Sequence, residues 1–334
     1  MSKIKLSFCI TTFNNEEFIS ATLESIVSQY AKDIEIIIGD SSSNNKTEII
    51  TKKFSKKFQN IVYKRLNNEG FGVDLSKTIA FAKGEYCWLF SSDDCVKKGA
   101  IDYIKNLITL SNASVLLCNR TICSKDLVPS KNSPNWLLGD DNTRKYYFND
   151  PDEVNNYIIK SQSIGSLFSY MSSVIFKKDK WDKIPIKTHY MTNNYQHVWR
   201  VLQILKEKNS SLYYTDKQIV LFRGDNDSFT RDGYPARIYL DFDGYKNIIN
   251  YYFKDKKIIT SFKKLMQREH PFYSSLIRLR SELKSKKDWK EFERKLIYYG
   301  YHPLQIHLIN FIGSKKFAVL FLRKIKKTIN YYKN

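Results

Sequence analysis

The sequence is poor in the residues that interrupt or cross-link a chain, and it is short of acidic side chains. The 334 residues include 12 glycines and 7 prolines, too few for a collagen-like or low-complexity protein. The five cysteines form no Cys-x-x-Cys pair, which disfavours a zinc site or a disulfide framework and favours a reducing, cytoplasmic environment. No apolar run approaches the roughly 20 residues that span a bilayer. The first apolar strand follows the amino terminus so closely that we expect no signal peptide.

Apolar side chains and basic charge are plentiful instead. Hydrophobic residues make up 42% of the chain and aromatic residues 15%, which is enough for one large core or two smaller ones. The formal charge is +21. Residues 251–334 contain 21 Lys or Arg and 6 Asp or Glu, a net charge of +15. A basic region of this kind indicates a polyanionic partner: nucleic acid, anionic lipid or a phosphorylated substrate.

Short apolar runs alternate with helical patterns over the first hundred residues, which predicts a mostly parallel sheet flanked by helices. Further apolar runs predict strands at 114–121, 169–176 and 219–222 and helices at 100–110 and 197–206. From about residue 238 the pattern becomes Lys-rich and helical. We therefore predict an α/β domain over 1–237 and a basic helical region over 238–334. The early strands are expected at 5–12, 34–39, 61–66 and 86–91, and the helices between them at 18–29, 47–58 and 72–82.

Polar residues follow each of the early strands. Thr12-Phe13-Asn14, Asp40, Asn68 and Asp93-Asp94 stand at the four predicted strand ends. In a parallel sheet, the carboxyl ends of the strands share one edge, where ligands bind. Adjacent carboxylates repel unless a cation lies between them, so Asp93-Asp94 suggests Mg²⁺ or Mn²⁺ beside a phosphate. The alternative is a helix cap, for which Asp and Ser are favoured.

Two later segments carry their own expectations. Residues 124–151 are rich in Ser, Pro, Asn and Asp, and a long loop of this kind is usually functional. In residues 315–329, apolar and basic side chains fall on opposite faces of a predicted helix. That pattern is typical of a helix on an anionic membrane surface. It also suits a helix that packs on its own domain with a solvated basic face.

Taken in order, these segments resemble the GT-A glycosyltransferases of family 2. The resemblance rests on SFCITTFNNEEF, IIIGDSSSNNKT and NNEGFGVDLSKTIAFAKGEYCWLFSSDD, in the family's order and spacing over roughly the first hundred residues. CWLFSSDD and SYMSSVIFKKDKW are most similar to the branch that transfers O-antigen sugars such as abequose. The resemblance implies a Rossmann-like GT-A fold and a nucleotide-sugar donor.

The resemblance also assigns roles at the strand ends. It implies that Thr11 and Phe13 flank the nucleotide and that Asp40 hydrogen-bonds the base or ribose. Asn68 and Gly70 would shape the base pocket.

At the fourth strand end, the resemblance makes Asp94 the metal ligand and places Asp93 near the donor ribose or sugar. Mn²⁺ or Mg²⁺ would neutralise the leaving diphosphate. The family's Ala-Arg-Asn triplet is replaced here by residues 74–76, which begin with Asp74. The basic contact to the donor is then missing unless Lys77 supplies it.

A second departure concerns the catalytic base. Inverting members usually present a Glu-Asp pair at a helix start about a hundred residues after the metal motif, and this chain reads Tyr195-Gln196-His197 there. His197 could be the general base, could complete the metal shell, or could serve structure alone.

Other charged and aromatic residues are weaker candidates. Asp225 and Asp227 are further candidates for a catalytic carboxylate, or they are turn residues. Arg223 could hold a phosphate bidentately. On the acceptor side we expect Trp136, Arg200 and Arg223, although most aromatics in a chain this rich belong to the core.

These observations predict a metal-dependent glycosyltransferase at the cytoplasmic face of the membrane. It would move a sugar, such as a 3,6-dideoxyhexose from a CDP-sugar, onto a lipid-diphosphate-linked oligosaccharide. One alternative is an inverting UDP-hexose or UDP-HexNAc transferase of capsule or lipooligosaccharide synthesis. A more distant alternative is a basic nucleic-acid-binding protein. We expect no nucleic-acid partner, because no such motif occurs and the basic residues lie away from the ordered carboxylates.

Overall fold

The structure, a computed structural model, describes residues 3–139, 142–185, 194–226 and 233–315. The chain divides into two compact units. The sheet unit comprises the described residues within Met1–Lys160 and Gly165–Asn226, and the helical unit comprises Ser161–Ile164 and the described residues after 226. The assignment of separate roles to residues 1–237 and 238–334 stays a prediction.

The first half of the sheet unit alternates strand and helix, as the sequence predicts. The elements are β1 Leu6–Thr12, α1 Glu16–Val27, β2 Ile34–Asp40, α2 Lys46–Ser55, β3 Ile61–Arg65, α3 Phe71–Ala80 and β4 Tyr86–Ser91. Strands β1, β2 and β4 are almost entirely buried and are mostly apolar, whereas β3, at the edge of the sheet, buries only Ile61. The helices bury one stripe.

The second half is less regular. It includes a 3₁₀ turn, Met171–Ser173, directly before β8, and another at Ile164–Leu167. Its strands and helices are β5 Cys95–Val96, α4 Ala100–Ser111, β6 Val115–Cys123, β7 Arg144–Tyr146, α5 Pro151–Lys160, β8 Val174–Lys177, α6 Lys178–Asp182, α7 Gln196–Lys206 and β9 Leu212–Arg223.

All described strands join one mixed sheet in the order β3-β2-β1-β4-β8-β6-β9-β5, and β7 also pairs with β9. Strands β3, β2, β1 and β4 are mutually parallel. Strand β8 runs antiparallel to both of its neighbours, and β9 runs parallel to β6. The carboxyl ends of β1, β2, β3, β4, β6 and β9 therefore face the same edge of the sheet.

An aromatic cluster fixes the centre of this sheet. The ring of Phe8 on β1 stacks on Trp88 at a centroid distance of 4.9 Å and meets Phe90 edge-on at 5.6 Å. All three side chains are fully buried. The Trp88 indole donates to the Ser172 carbonyl at 2.8 Å, which satisfies its polar N–H. This hydrogen bond joins β4 to the 3₁₀ turn Met171–Ser173, which directly precedes the neighbouring strand β8.

Three sequence expectations need correction. The strand expected at 169–176 begins at Val174, because residues 171–173 form the 3₁₀ turn. The strand expected at 219–222 begins at Leu212, since exposed polar residues at its middle interrupt the apolar pattern. The loop expected at 124–151 contains β7 and a bridge between Cys123 and Pro129.

The helical unit confirms the helical pattern expected after residue 238. Its described residues contain α8 Tyr234–Tyr252, α9 Lys256–Glu269, a π-helical turn Phe272–Leu276, α10 Ile277–Glu282, α11 Lys286–Tyr298 and α12 Pro303–Gly313. No helix among the described residues of the chain is both long and apolar enough to cross a membrane. The amphipathic segment expected at 315–329 lies outside the described residues, apart from Lys315.

The core of the helical unit is built around Phe242. Its ring meets Tyr299 edge-on at 4.7 Å and Phe292 at 5.2 Å. Beside it, the buried Asp241 carboxylate contacts Arg237 at 2.5 Å and His270 at 3.0 Å. Pairing of this kind offsets the cost of burying a carboxylate.

Candidate functional site

The turns that follow β1 and β2 are joined by side-chain hydrogen bonds. The Asn14 backbone N–H donates to Ser42 Oγ at 2.8 Å, and Asn14 Oδ1 accepts from the Ser43 N–H at 2.9 Å. Asn14 adopts a φ of 49°, a left-handed conformation that Asn tolerates better than most residues. Thr11 lies half-buried with its hydroxyl 3.3 Å from Thr78 Oγ1, while Phe13 is 40% exposed. The first two predicted strand-end turns therefore form one connected edge.

Asp40 terminates β2 and is held by the protein itself. Its Oδ1 accepts from the Ser42 N–H at 2.9 Å. Its Oδ2 accepts from the Tyr63 hydroxyl at 2.7 Å and from Arg65 Nη1 at 3.2 Å. The side chain has no exposed surface. In this structure Asp40 stabilises the turn, and its contact with a base or ribose stays a prediction.

The third turn leads from β3 into α3. Asn68 is exposed with a φ of 51°, and Gly70 has a φ of 100° that favours glycine. The buried Asp74 accepts from the Glu69 N–H at 3.3 Å, and Lys77 forms an ion pair with the Glu69 carboxylate. Lys77 is therefore at the turn but already has an acidic partner there.

The fourth turn contains the two adjacent aspartates, and they differ sharply. Asp94 is buried, and its Oδ2 accepts hydrogen bonds from the hydroxyls of Tyr170 and Ser172, both at 2.6 Å. Its Oδ1 accepts from the Arg223 backbone N–H at 3.0 Å. Burial, followed by the nearby charge of Asp93, raises the pKa of Asp94 to about 7, although these hydrogen bonds act in the opposite direction. Asp94 thus joins β4 to β9 and to the turn before β8.

Asp93 is the more accessible member of the pair. One of its oxygens accepts from the Ser91 hydroxyl, and Oδ2 accepts from Asn226 Nδ2 at 2.7 Å. The side chain is half-buried, and it lies directly after β4 at the carboxyl edge of the sheet. Of the two aspartates, Asp93 is therefore the one placed to meet a ligand from solution.

Arg223, the last residue of β9, fixes the backbone around this pair. Its Nε donates to the Asp93 carbonyl at 2.7 Å, and Nη1 donates to the Lys125 carbonyl. The guanidinium also lies 4.6 Å from the centroid of the Phe18 ring. These contacts make Arg223 a structural clamp. Its use for phosphate stays a prediction.

The two carboxylates expected after Arg223 are Asp225 and Asp227. Asp225 is exposed and has a φ of 57°, a conformation typical of turn Asp and Asn residues. Asp227 lies outside the described residues. A catalytic role for Asp225 stays a prediction.

Helix α7 begins beside α3. Ser76 Oγ donates to Gln196 Oε1 at 3.0 Å, and both residues are buried. His197 is 2% exposed, and its Nε2 lies 2.9 Å from the carbonyl of Phe168. Burial lowers the pKa of His197 to about 4. This environment favours the structural interpretation of His197 that the sequence left open.

The two remaining acceptor-side candidates pack inside the sheet unit. Trp136 donates its indole N–H to the Cys118 carbonyl at 2.9 Å, and the Arg120 guanidinium lies 3.5 Å from the ring centroid. Arg200 donates to the Trp181 carbonyl at 2.9 Å. Trp136 and Arg200 are 5% and 4% exposed. Their contact with an acceptor stays a prediction.

Sequence reasoning missed the partners of the aspartate pair. Tyr170 and Ser172 come from the SYMSS segment, and Asn226 lies more than 130 positions after Asp93. The SYMSS segment is part of the sequence that resembles the family, but the resemblance assigns no role to its residues. Its cluster of hydroxyl groups directly before an apolar run was the available signal. Nothing near Asn226 in the sequence indicates Asp93 as its partner.

Asp93 could hold a divalent cation together with substrate phosphates and water. No group of three His, Cys, Asp or Glu side chains that could hold a metal occurs among the described residues. Mg²⁺, however, is commonly held by one or two carboxylates together with substrate phosphates and water. Asp93 offers one such carboxylate at the edge where a diphosphate is expected.

Comparison with known proteins identifies the family of the chain. The family model "Glycosyl transferase family 2" matches residues 7–176. The chain is 32% identical over 322 residues to the abequosyltransferase RfbV of Salmonella typhimurium, covering 94% of this chain and 95% of that protein.

Solved structures share the fold. TarS 1–349 of S. aureus in complex with UDP-GlcNAc matches with a TM-score of 0.58 and 16% identity, covering 89% of this chain and 80% of that chain. The mannosyltransferase PcManGT of Pyrobaculum calidifontis, in complex with GDP-Man and Mn²⁺, matches with a TM-score of 0.52 and 10% identity, covering 96% and 87%. These likenesses show a GT-A-like α/β fold. The family match and the full-length relative show that the chain belongs to glycosyl transferase family 2 and is a glycosyltransferase.

Proposed function

We propose that this glycosyltransferase takes its sugar from a nucleotide-sugar bound along the carboxyl edge of the sheet and transfers it to a lipid-linked surface glycan. The observation that carries the proposal is the Asp93 carboxylate. It is the accessible acid of the fourth turn. Hydrogen bonds from Ser91 and Asn226 fix its carboxylate, and one from Arg223 fixes its backbone carbonyl. The turns after β1 and β2 lie along the same edge.

The donor that we favour is a CDP-3,6-dideoxyhexose. Support comes from the similarity to an abequosyltransferase over 94% of this chain. A UDP-hexose or UDP-HexNAc is the second candidate, because a structure of the same fold was solved with UDP-GlcNAc. Both donors present a diphosphate and a ribose to the same strand-end turns.

We place a divalent cation, Mn²⁺ or Mg²⁺, on Asp93 rather than on Asp94. Both oxygens of Asp94 already accept hydrogen bonds inside the protein, and the side chain is 1% exposed. When bound, the cation supplies charge neutralisation for the diphosphate leaving group. Support for a metal comes from the Mn²⁺ complex of a protein with this fold.

The protein's own groups then orient the donor. Asn226 and Ser91 hold the Asp93 carboxylate, and a carboxylate fixed in this way is ready to meet a ligand without rearrangement. Asp94 acts as a positioning residue because it joins the β4 turn to Tyr170, Ser172 and Arg223.

The acceptor is proposed to be a lipid-diphosphate-linked oligosaccharide at the cytoplasmic face of the membrane. The net charge of +15 over residues 251–334 supports attraction to an anionic surface. This location brings the enzyme close to a membrane-embedded acceptor.

Two measurements test the donor and the metal site. Thermal shift of the full chain with CDP, UDP, GDP and dTDP, each with and without Mn²⁺, should show stabilisation by one nucleotide class. In a transfer assay with the stabilising donor, Asp93→Asn should lower kcat/KM by at least about 100-fold while the melting temperature changes little.

Asp179→Asn is the matched control for that variant. Asp179 is an exposed carboxylate of α6 in the same unit, 3.9 Å from Lys183, and its loss should leave transfer unchanged. Full transfer activity of Asp93→Asn in a metal-supplemented assay would contradict the proposal.

A further inference from the structure

The end of the described chain contains a long uncharged stretch. Residues 296–314 include no Asp, Glu, Lys or Arg, although charged residues make up 27% of the protein. The stretch covers the end of α11 and the whole of α12. It is bounded by Lys295 and Lys315.

Helix α12 is apolar on its inner face, which packs within the helical unit. Ile306, Ile309 and Gly313 are buried. A Cβ atom at Gly313 would lie 2.6 Å from Arg280 Cβ, so glycine permits a close approach to α10. Arg280 Nε also donates to Asn310 Oδ1 at 2.8 Å. These contacts fix which face of α12 points inward.

The outer face of α12 is apolar as well. Leu304 is 60% exposed and Phe311 is 52% exposed, and His307 lies exposed between them. Residues 304, 307 and 311 fall on one stripe of a helix. A surface helix normally presents polar or charged groups there, so this face is suited to a partner.

One cationic side chain, Lys315, borders the exposed apolar groups of α12. The Lys315 ammonium lies 3.9 Å from the centroid of the Phe311 ring. At the end of α11, Ile297 is also 62% exposed, whereas Lys295 is 18% exposed and pairs with Asp243. Lysines at the border of an apolar face can keep their ammonium groups at the headgroup level while the apolar groups insert.

Charge decides which partner fits this face. A second copy would bring a chain of net charge +21 against one of the same charge, which opposes association. An anionic lipid surface would attract Lys315 and the net positive charge of residues 251–334. We propose that the outer face of α12, with Leu304, His307 and Phe311, inserts into the headgroup region of an anionic lipid surface.

This inference rests on the membrane location in the proposed function. It assigns the contact with the membrane to helix α12, which lies before the 316–334 segment. It does not depend on which donor or metal the enzyme uses. The two can therefore fail separately.

The test is co-flotation of the full-length protein with vesicles of phosphatidylcholine alone or with added phosphatidylglycerol. The wild type should bind the anionic vesicles and bind the neutral ones weakly. Leu304→Ser/Phe311→Ser should lower the partition coefficient on anionic vesicles by about tenfold or more, because two apolar side chains lose their burial. Equal binding of this double variant and the wild type, or no binding of the wild type, would overturn the inference.

The matched control is Leu110→Ser/Val128→Ser, which replaces two apolar side chains of the sheet unit that are 81% and 63% exposed. It should bind vesicles as the wild type does. As a direct reporter, Phe311→Trp should show a blue shift of fluorescence with anionic vesicles, relative to the unsubstituted protein, and Leu110→Trp should not. A blue shift in both reporters would also overturn the inference.

Two further measurements separate the alternatives. Sedimentation without lipid should show one monomeric species. A dimer that the Leu304→Ser/Phe311→Ser change abolishes would overturn the inference in favour of a second copy. Nucleotide-dependent thermal shifts measured on the same variants should match the wild type, so that failure of the donor proposal is seen independently of lipid binding.

Discussion

The hydroxyl of Tyr170 donates a 2.6 Å hydrogen bond to Oδ2 of Asp94, joining residues 76 positions apart in the sequence. Ser172 donates to the same oxygen at 2.6 Å. The Tyr170 ring packs near Phe222 at 5.1 Å and Trp136 at 6.0 Å. The aspartate turn is therefore held by a residue that also belongs to the aromatic packing behind it.

Replacing Tyr170 by Phe should destabilise the protein by about 1–2 kcal/mol, because a buried carboxylate loses one donor while the ring contacts remain. Urea unfolding followed by circular dichroism measures the change. Tyr147→Phe is the control, since Tyr147 is 46% exposed, and it should change stability by less than about 0.5 kcal/mol. Equal stability of the Tyr170→Phe variant and the wild type would contradict the importance of this bond.

The contact between Ser76 and Gln196 should show energetic coupling. The two side chains are buried and joined by a 3.0 Å hydrogen bond between α3 and α7. In a double-mutant cycle of Ser76→Ala and Gln196→Ala, we expect an interaction energy of about 0.5–1.5 kcal/mol in favour of the wild-type pair. Strictly additive effects in urea unfolding would show that the pair makes no net contribution.

His197 should make the protein sensitive to acid. Its pKa is about 4 in the folded state and 6.5 in the reference state. Below pH 6.5 the His197 imidazole is protonated in the unfolded chain but stays neutral in the folded protein. The free energy of unfolding therefore decreases as the pH falls towards 4. The loss at pH 5 relative to pH 8 is on the order of 2 kcal/mol.

Thermal unfolding at pH 8 and pH 5 tests this assignment. The decrease in melting temperature between the two pH values should be smaller for His197→Gln than for the wild type. The exposed His307 provides the control, and His307→Gln should show the wild-type decrease. The same decrease in the His197 variant would show that His197 does not titrate in this way.

Gly39 should not accept a side chain. A Cβ atom there would overlap Thr78 Oγ1 and lie 2.9 Å from Leu66 Cδ1. Gly39→Ala should cost about 1–3 kcal/mol through overpacking, and the cost should be smaller in a Thr78→Ala background, where the overlapping hydroxyl is gone. Chemical unfolding of the two single variants and the double variant measures the difference. An equal cost in both backgrounds would place the strain elsewhere.

The parallel half of the sheet could be predicted from sequence because its strands are short and mostly apolar and each is followed by a polar turn. Ile34–Asp40 shows this clearly, with all seven residues buried. Strand β9 was predicted only from its last third. The exposed Asp216 and Lys217 interrupt its apolar pattern, and pairing with β6 and β7 decides its full length.

The strand-end residues were also predictable, but their environments were not. The pair Asp93-Asp94 is visible in the sequence, yet local residues do not show which carboxylate is buried. That difference arises from Tyr170, Ser172 and Arg223, which reach Asp94 from distant parts of the chain. For the same reason, the helix-start position of His197 did not indicate its burial against the Phe168 carbonyl.

The distance along the chain between Asp93 and Asn226 has a consequence for folding and for truncation. A ribosome must complete β9 before Arg223 and Asn226 can reach the aspartate turn. The segment that carries the family signature, residues 7–176, ends before both of them. A fragment that stops there would keep the recognisable sequence and lose the contacts that shape Asp93, so we expect nascent chains to acquire donor affinity only after the ninth strand has joined the sheet.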